Sequence, residues 1–408
     1  MLQLEQIVFS IQPCAVHLLM VAVRTDSTPV ILDARVLCGS GGGPDKTIIN
    51  SPRFLDAAGY RMLCAYMHHP NDSGFATLKA KAANRNVDLI SIPDHGPFDW
   101  RVVPRMLDLC RRERVSVWHG HDYKTNALGL LLKRFWPMRL VTTVHGWVER
   151  TWKTPLYYLI DRLSLRCYEK VICVSGDLEQ ACRRAGVPSS RCELLENGID
   201  LSDYRRTQTI QEAKEALGIP AHRILIGAVG RLSREKGFDL LIRAVDQLLR
   251  TGLDIELLIA GEGSEKEPLE KLIAELNLRE RVRLLGYRPD LRSTYEAMEV
   301  FALSSLREGL PNVLLEALAV GVPVVATRIN GVPRVVENDV NGLLVEAGSV
   351  DSLAGALQNL VADKACRERF SLAGPQTVAQ QFSFGQRMDK LRRIYDALLA
   401  NNANVKAA

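Results

Sequence analysis

Two glutamates define the chemistry that this sequence could support. Glu308 and Glu316 stand with seven residues between them in LSSLREGLPNVLLEALAVGVPVVAT, Leu303 to Thr327, a stretch that reads as strand end, loop, helix and next strand. Ligands of open α/β sheets bind beyond the carboxyl ends of strands, where Ser304 to Leu310 falls. Gly309 lets the backbone approach a ligand closely. Pro311 suits the first turn of a helix whose unpaired amides point to the same place, so phosphate is the natural occupant. Glu316 follows about two turns into that helix, among Leu314, Leu315 and Leu318. Carboxylates accept hydrogen bonds from sugar hydroxyls, so the pair could serve a nucleotide ribose and a transferred sugar while the amides between them hold phosphate. A purely structural reading is a helix-start Glu308 placed well for the helix dipole and a salt-bridged Glu316.

Four other segments carry candidate chemistry. Gly230-Arg231-Leu232-Ser233-Arg234-Glu235-Lys236-Gly237 follows a strand and precedes a helix near Phe238. Departure of a nucleoside diphosphate builds negative charge, which Arg231 and Lys236 could neutralise without a metal ion. The glycine-rich turn Gly39 to Lys46, with Gly42 and Gly43 at its centre, also sits between strand and helix, but neither the Walker A nor the dinucleotide spacing fits it. Thr142-Thr143-Val144-His145-Gly146 ends another strand, and that strand-end position makes His145 a candidate site residue, although a lone histidine is more often structural. His119-Gly120-His121-Asp122 offers metal-ligand types without the helical i, i+4 pairing of a zinc site. His121 and Lys124 are assigned to the cleft on the acceptor side together with Gly42, Gly43 and Lys46, and no metal or other cofactor is expected. His68 and His69 are read as loop residues.

The glutamate spacing, with its Glu-Gly-Leu-Pro opening and Glu-Ala-Leu-Ala close, resembles glycosyltransferase family 4, and the resemblance extends over about residues 30 to 400. It implies a retaining enzyme of the GT-B architecture. Glu316 would bind the donor ribose and Glu308 the transferred sugar, with Gly309, Leu310, Pro311, Asn312 and Gly230 around the donor. Arg231 and Lys236 would face the diphosphate, His145 would lie beside the reactive sugar, and Tyr287 and Arg288 would meet the nucleotide base. Asp45 departs from the glutamate that often follows the family's Gly-Gly pair. Asn197-Gly198-Ile199-Asp200 resembles the family's turn between domains.

Positioning these residues requires two sheets. From Val30 onward short β-branched runs alternate with helical patterns, the signature of doubly wound parallel sheets covered on both faces. Strands are expected at Val30 to Cys38, Arg61 to Tyr66, Val87 to Ile92, Val115 to Trp118, Leu140 to Val144, Val171 to Val174 and Cys192 to Leu195. A second series is expected at Ile224 to Val229, Ile255 to Ile259, Val282 to Leu284, Val300 to Leu303, Val322 to Ala326 and Gly342 to Val345. The resulting division is an extension at 1–29, an acceptor-binding Rossmann-like domain at 30–205, a nucleotide-sugar-binding Rossmann-like domain at 206–382, and a tail at 383–408. That tail reads as an amphipathic helix with Met388, Leu391, Ile394, Tyr395 and Leu398 on one stripe, crossing back to the first domain.

A chain of 408 residues suits two domains of roughly 150 to 200 residues. The net charge is +5, and the whole excess lies in residues 1–200, with 25 Lys and Arg against 20 Asp and Glu; the remainder has 27 against 27. An anionic membrane surface is therefore a candidate partner beside the nucleotide-sugar donor and a glycan or lipid-linked glycan acceptor, and no nucleic acid is expected. Nine scattered cysteines without a C-x-x-C pair read as cytoplasmic usage, with peripheral attachment at the inner face of the membrane as an extension of that reading. Ile7 to Val23 is apolar but too short for a membrane span of about 20 residues. The expected function is hexosyl transfer in cell-surface or exopolysaccharide synthesis. The alternatives are a nucleotide-sugar epimerase of the same architecture and a non-catalytic sugar-nucleotide-binding protein.

Overall fold

The computed structural model describes residues 28–406 apart from Cys38, Ser40, 147–153 and Pro289. The apolar stretch Ile7 to Val23, and Ser40 of the glycine-rich turn, lie outside the described residues. Within them are thirteen strands in two sheets. The first contains β1 (Val30–Val36), β2 (Arg61–His68), β3 (Leu89–Pro93), β4 (Val115–Gly120), β5 (Arg139–Val144), β6 (Lys170–Cys173) and β7 (Cys192–Leu194) in the order β3-β2-β1-β4-β5-β6-β7. The second contains β8 (Ile224–Val229), β9 (Ile255–Ala260), β10 (Val282–Leu284), β11 (Val300–Leu303), β12 (Val324–Thr327) and β13 (Gly342–Val345) in the order β10-β9-β8-β11-β12-β13. Every pairing is parallel. These are the two doubly wound parallel sheets expected from the alternation, and together they match the GT-B arrangement that the family resemblance implies.

Burial explains why the strands are readable as unbroken apolar runs. All six residues of β9 are buried because helices cover both faces. Its one charge, Glu256, is held by Arg223 (Nη1 to Oε2, 3.1 Å) and Arg283 (Nε to Oε1, 2.7 Å). Most strands shift at one or both ends by one or two residues from expectation, and two of the shifts have local physical reasons. β12 begins at Val324 because the Val322 amide closes the preceding helix on Ala317 O, and Pro323 has no N–H for the ladder. β2 runs on to His68, which is therefore a strand residue and not a loop residue. Its ring is buried, stacks on Phe75 at 3.9 Å and pairs through Nε2 with Ser91 Oγ at 2.8 Å.

Chain crossings hold the two sheets together. Val378 and Phe382 belong to the core of the second sheet, and the helix Phe384–Lys406 then packs Met388, Leu391, Tyr395 and Leu398 against Ile31, Val117, Val141 and Ile172 of the first. The outgoing and returning segments lie side by side: Ile199 N donates to Phe382 O at 2.8 Å and Phe384 N to Ile199 O at 2.9 Å. A Cβ on Gly198 would stand 3.0 Å from Ser383 O, so the crossing needs a glycine there. Leu391→Ala is expected to cost about 2–5 kcal/mol, measured as urea unfolding followed by a probe in the first domain. An unchanged midpoint would mean that the last helix does not belong to that core.

Candidate active site

The loops following β8 and β11 are joined into one unit. Lys236 Nζ donates to Glu308 Oε1, and Ser305 Oγ donates to the same oxygen at 2.8 Å. Ser304 Oγ donates to Lys236 O at 2.9 Å and Leu306 N to Glu235 O at 2.8 Å, which ties the two backbones as well. Gly237 makes this approach possible. Its φ is 59°, and a Cβ there would lie 2.4 Å from Ser304 O. Arg231 reaches back to Glu235 at 2.9 Å, while Arg234 points outward with only a loose contact to Glu265 at 3.4 Å. Gly230 closes against β9 through its amide and Ala260 O at 3.0 Å.

Glu316 is held from the other side. The helix Asn312–Val320 starts one residue after Pro311, which sits in extended conformation as its N-cap rather than within its first turn. Glu316, with its side chain 2% exposed, accepts from Tyr295 OH at 2.9 Å and from Lys46 Nζ at 2.6 Å. Lys46 belongs to the first domain and also donates to Tyr204 OH at 3.3 Å. Expected on the acceptor side or in the cleft, it reaches across the cleft to the carboxylate assigned to the donor. The other turn residues follow it across. A Cβ on Gly43 would meet Asn312 Nδ2 at 3.0 Å, and Gly42 N donates to Asp45 Oδ2 at 2.6 Å. Asp45 also takes Arg35 Nε at 2.8 Å, so it braces the turn. The buried Oδ1 of Asn312 finds no protein donor.

Further contacts close the cleft. Asn197 Nδ2 donates to Leu310 O at 3.2 Å, Asn330 Nδ2 to Glu308 O at 2.8 Å, and a Cβ on Gly309 would stand 3.9 Å from Ser175 Oγ of the first domain. Tyr287 and Arg288 follow Gly286, whose φ is 68°; Tyr287 OH accepts from Lys81 Nζ of the first domain at 2.5 Å.

At the strand ends of the first domain a second group is gathered. His121 Nδ1 lies 3.1 Å from His145 Nε2, and His121 Nε2 lies 2.8 Å from Asp33 Oδ1. His119 stacks on His121 at 4.5 Å and engages Tyr395 OH (2.6 Å) and Thr143 Oγ1 (2.8 Å) through its two nitrogens. Burial pushes His119 down to about 3 and holds His121 and His145 well below the usual imidazole range, while burial raises the Asp33 carboxyl to about 6. Ligand atoms of Asp33, His119 and His121 lie within 4.8 Å of one another, a spacing that a metal could bridge. In the present arrangement each imidazole nitrogen of His119 and His121 has a protein partner, and the buried Arg387 guanidinium acts on Asp33 and His119. Lys124 is committed to Asp94 (2.6 and 2.7 Å) and Gly96 O (2.6 Å), so it fastens the loop after β3.

Residues 41–203 match the family described as Glycosyltransferase Family 4, and residues 209–377 match that described as Glycosyl transferases group 1. The D-inositol 3-phosphate glycosyltransferase of Corynebacterium jeikeium is 30% identical over 316 residues, covering 72% of this chain and 75% of its own length. The Escherichia coli UDP-Gal:alpha-D-GlcNAc-diphosphoundecaprenol alpha-1,3-galactosyltransferase is 27% identical over 334 residues, 78% of this chain and 82% of its own. The chain belongs to glycosyltransferase family 4. Two solved structures share the fold: a glycosyltransferase from Rickettsia africae (TM-score 0.77, 18% identity, 92% of this chain and 100% of that one) and Anabaena HepE in complex with UDP (TM-score 0.76, 19% identity, 90% and 100%). The protein is a glycosyltransferase using a nucleotide-sugar donor, and neither an epimerase nor a non-catalytic binding protein is favoured.

Several residues of this family 4 enzyme's cleft were invisible in the sequence. Tyr295, Tyr204, Asn330 and Asp33 occur outside any motif, and their partners are far along the chain. Asp33 alone left a trace, as an acidic residue within an apolar strand run that also holds Arg35. Gly237→Ala is expected to lose about 1–2 kcal/mol from left-handed backbone strain alone and to loosen the Lys236–Glu308 contact. Thermal unfolding, and the midpoint shift produced by a nucleoside diphosphate, measure both effects; retention of the full ligand-induced shift would sever Gly237 from the site.

Proposed function

We propose that the enzyme transfers a hexosyl group from a nucleoside diphosphate sugar to a hydroxyl of a glycan or lipid-linked glycan, with retention at the anomeric carbon, in cell-surface or exopolysaccharide synthesis. The observation that carries this reading is the joining of Lys236 to Glu308 at the ends of β8 and β11, beside the buried Glu316. In this reading Glu316 holds the ribose, and Lys46 moves off it when donor enters. Glu308 holds the transferred sugar with His145, and the amides of Gly309 and Leu310 face the diphosphate. Tyr287 and Arg288 flank the base. Arg231 and Lys236 neutralise the charge that grows on the leaving phosphate, without a metal. No side chain is assigned as a nucleophile, so the reaction proceeds at the front face, with the departing phosphate assisting deprotonation of the acceptor.

The name of the Escherichia coli relative, with its diphosphoundecaprenol acceptor, favours a lipid-linked glycan. Replacing Glu308 by Gln and Arg231 by Ala should each lower donor turnover by about 100-fold or more while the fold persists. Full turnover by both variants would remove the site assignment. A panel of nucleotide sugars scored by thermal shift identifies the base and sugar.

A membrane surface is part of the same proposal. Among the described residues no helix is long and apolar enough to cross a membrane. The helix Thr154–Leu165 is nonetheless turned inside out over part of its length. It buries Asp161, which accepts from Asn126 Nδ2 at 2.7 Å, and Ser164, while Leu159 and Leu163 are 53% and 49% exposed. Its Tyr157 stacks on Tyr123, and the neighbouring Lys124 fastens the loop that carries Phe98 and Trp100, 73% and 72% exposed, just ahead of Arg101 and Arg105. Exposed apolar side chains bordered by arginines suit an anionic bilayer. The protein should sediment with vesicles containing phosphatidylglycerol, more weakly at 0.5 M salt, and a Trp100→Ser/Leu163→Ser double variant should remain in the supernatant. Equal sedimentation of that variant would dismiss this face.

A further inference from the structure

The reading of His145 as a ligand of the transferred sugar leaves open which of its nitrogens carries the proton, and therefore whether it donates to or accepts from a hydroxyl. A neutral imidazole has two tautomers, and the choice between them is imposed by the partner of the opposite nitrogen. The buried chain of contacts behind His145 makes that choice. Asp33, on β1, presents a carboxylate oxygen to His121 Nε2 at 2.8 Å. A carboxylate only accepts, so Nε2 of His121 carries the proton and Nδ1 is bare. His145 Nε2 lies 3.1 Å from that bare nitrogen and must donate to it. Nδ1 of His145 is then the acceptor.

We propose that Asp33 and His121 are positioning residues that lock His145 as the Nε2–H tautomer, so that its Nδ1 accepts a hydrogen bond from a hydroxyl of the transferred sugar. The inference rests on the placement of His145 beside that sugar.

Independent features preserve the arrangement. His119 covers one face of the His121 ring, at 4.5 Å and 23°, while the His145 ring lies beside it, at 5.5 Å and 20°, as a hydrogen bond in the plane of both rings requires. His119 is itself held at both ends, by Tyr395 of the last helix and by Thr143 of β5. The charged groups facing the chain are Arg387 from the last helix, acting on Asp33 and all three imidazoles, Arg35, whose Nη1 donates to His121 O at 3.5 Å, and Asp45, which acts on His121. Arg387 favours an ionised Asp33, and Arg387 and Arg35 together with burial favour neutral His121 and His145 against the opposing pull of Asp45. A last helix that returns from the second domain thus acts on the donor-sugar ligand of the first through Tyr395, Arg387 and His119.

The test is nitrogen-15 NMR of the full-length protein labelled on histidine, at pH 7.5 and without ligand. In wild type the Nε2 of His145 should resonate as a protonated, pyrrole-type nitrogen and its Nδ1 as a bare, pyridine-type one. In Asp33→Asn the carboxamide can rotate and donate to His121, so His145 should become a mixture or the reverse tautomer. Turnover of the donor should fall by about tenfold or more with its KM within about twofold, since the wrong tautomer affects the reacting state and not uniform binding. His121→Phe, which keeps a ring in the stack but removes the acceptor, should give the same NMR mixture and serves if Asp33→Asn does not fold. A protonated Nδ1 on His145 in wild type, or wild-type kcat in a folded Asp33→Asn protein, would overturn the relay. A stoichiometric metal in the purified protein, lost in Asp33→Asn, would overturn it in favour of a metal site. Failure of the glycosyl-transfer reading looks different: wild type would turn over no nucleotide sugar while its tautomer stayed as described.

Discussion

In a wholly parallel sheet every strand leaves at the same edge, and every loop that follows a strand is delivered there. Both sheets of this enzyme obey that constraint, and the chain crosses between them only where Asn197–Asp200 runs beside Phe382–Phe384. The polar strand ends of the two domains therefore face one another. Glycine-rich turn, histidine cluster, Arg231–Lys236 loop and Glu308–Glu316 segment all lie along these edges, although nearly 300 residues separate the first from the last. Helix starts at the same edges add unpaired amides, so a phosphate meets donors on both the loops and the helices.

Within that cleft the carboxylates assigned to the ligand are already occupied. Glu308 is taken by Lys236 and Ser305, and Glu316 by Lys46 and Tyr295. A buried carboxylate without a partner is costly, and cations drawn from neighbouring elements offset that cost in the free protein. In the proposed reading the hydroxyls of a donor sugar would donate to these carboxylates, and its phosphates would take up the released cations. Lys46 matters most here because it comes from the opposite domain, so exchanging it for a ribose would couple donor binding to the separation of the lobes.

The two domains are unequal in how they distribute charge and apolar surface. The second is neutral overall and buries its apolar residues in two large clusters. The first carries the basic excess and leaves Phe98, Trp100, Leu159 and Leu163 in solvent, while turning Asp161 inward. In the proposed reading this inverted face meets the bilayer that holds the acceptor, and the same domain holds the histidine relay.

The sequence by itself determined the elements and the donor motifs. Strands buried on both faces must be continuous apolar runs, so all thirteen were legible, while many of their ends moved by one or two residues, as at Val36, Leu89, Val324 and His68. Glu308, Glu316, Arg231 and Lys236 were legible because each lies within one local strand-loop-helix unit whose chemistry depends on neighbours a few residues away. Tertiary structure alone decided what those units meet. Lys46 is 270 residues from Glu316, His119 is 276 from Tyr395, and Asp33 is 88 from His121. No periodicity records such pairs, because their proximity comes from the order of strands in a sheet and the path of a returning helix, which are properties of packing and not of local sequence.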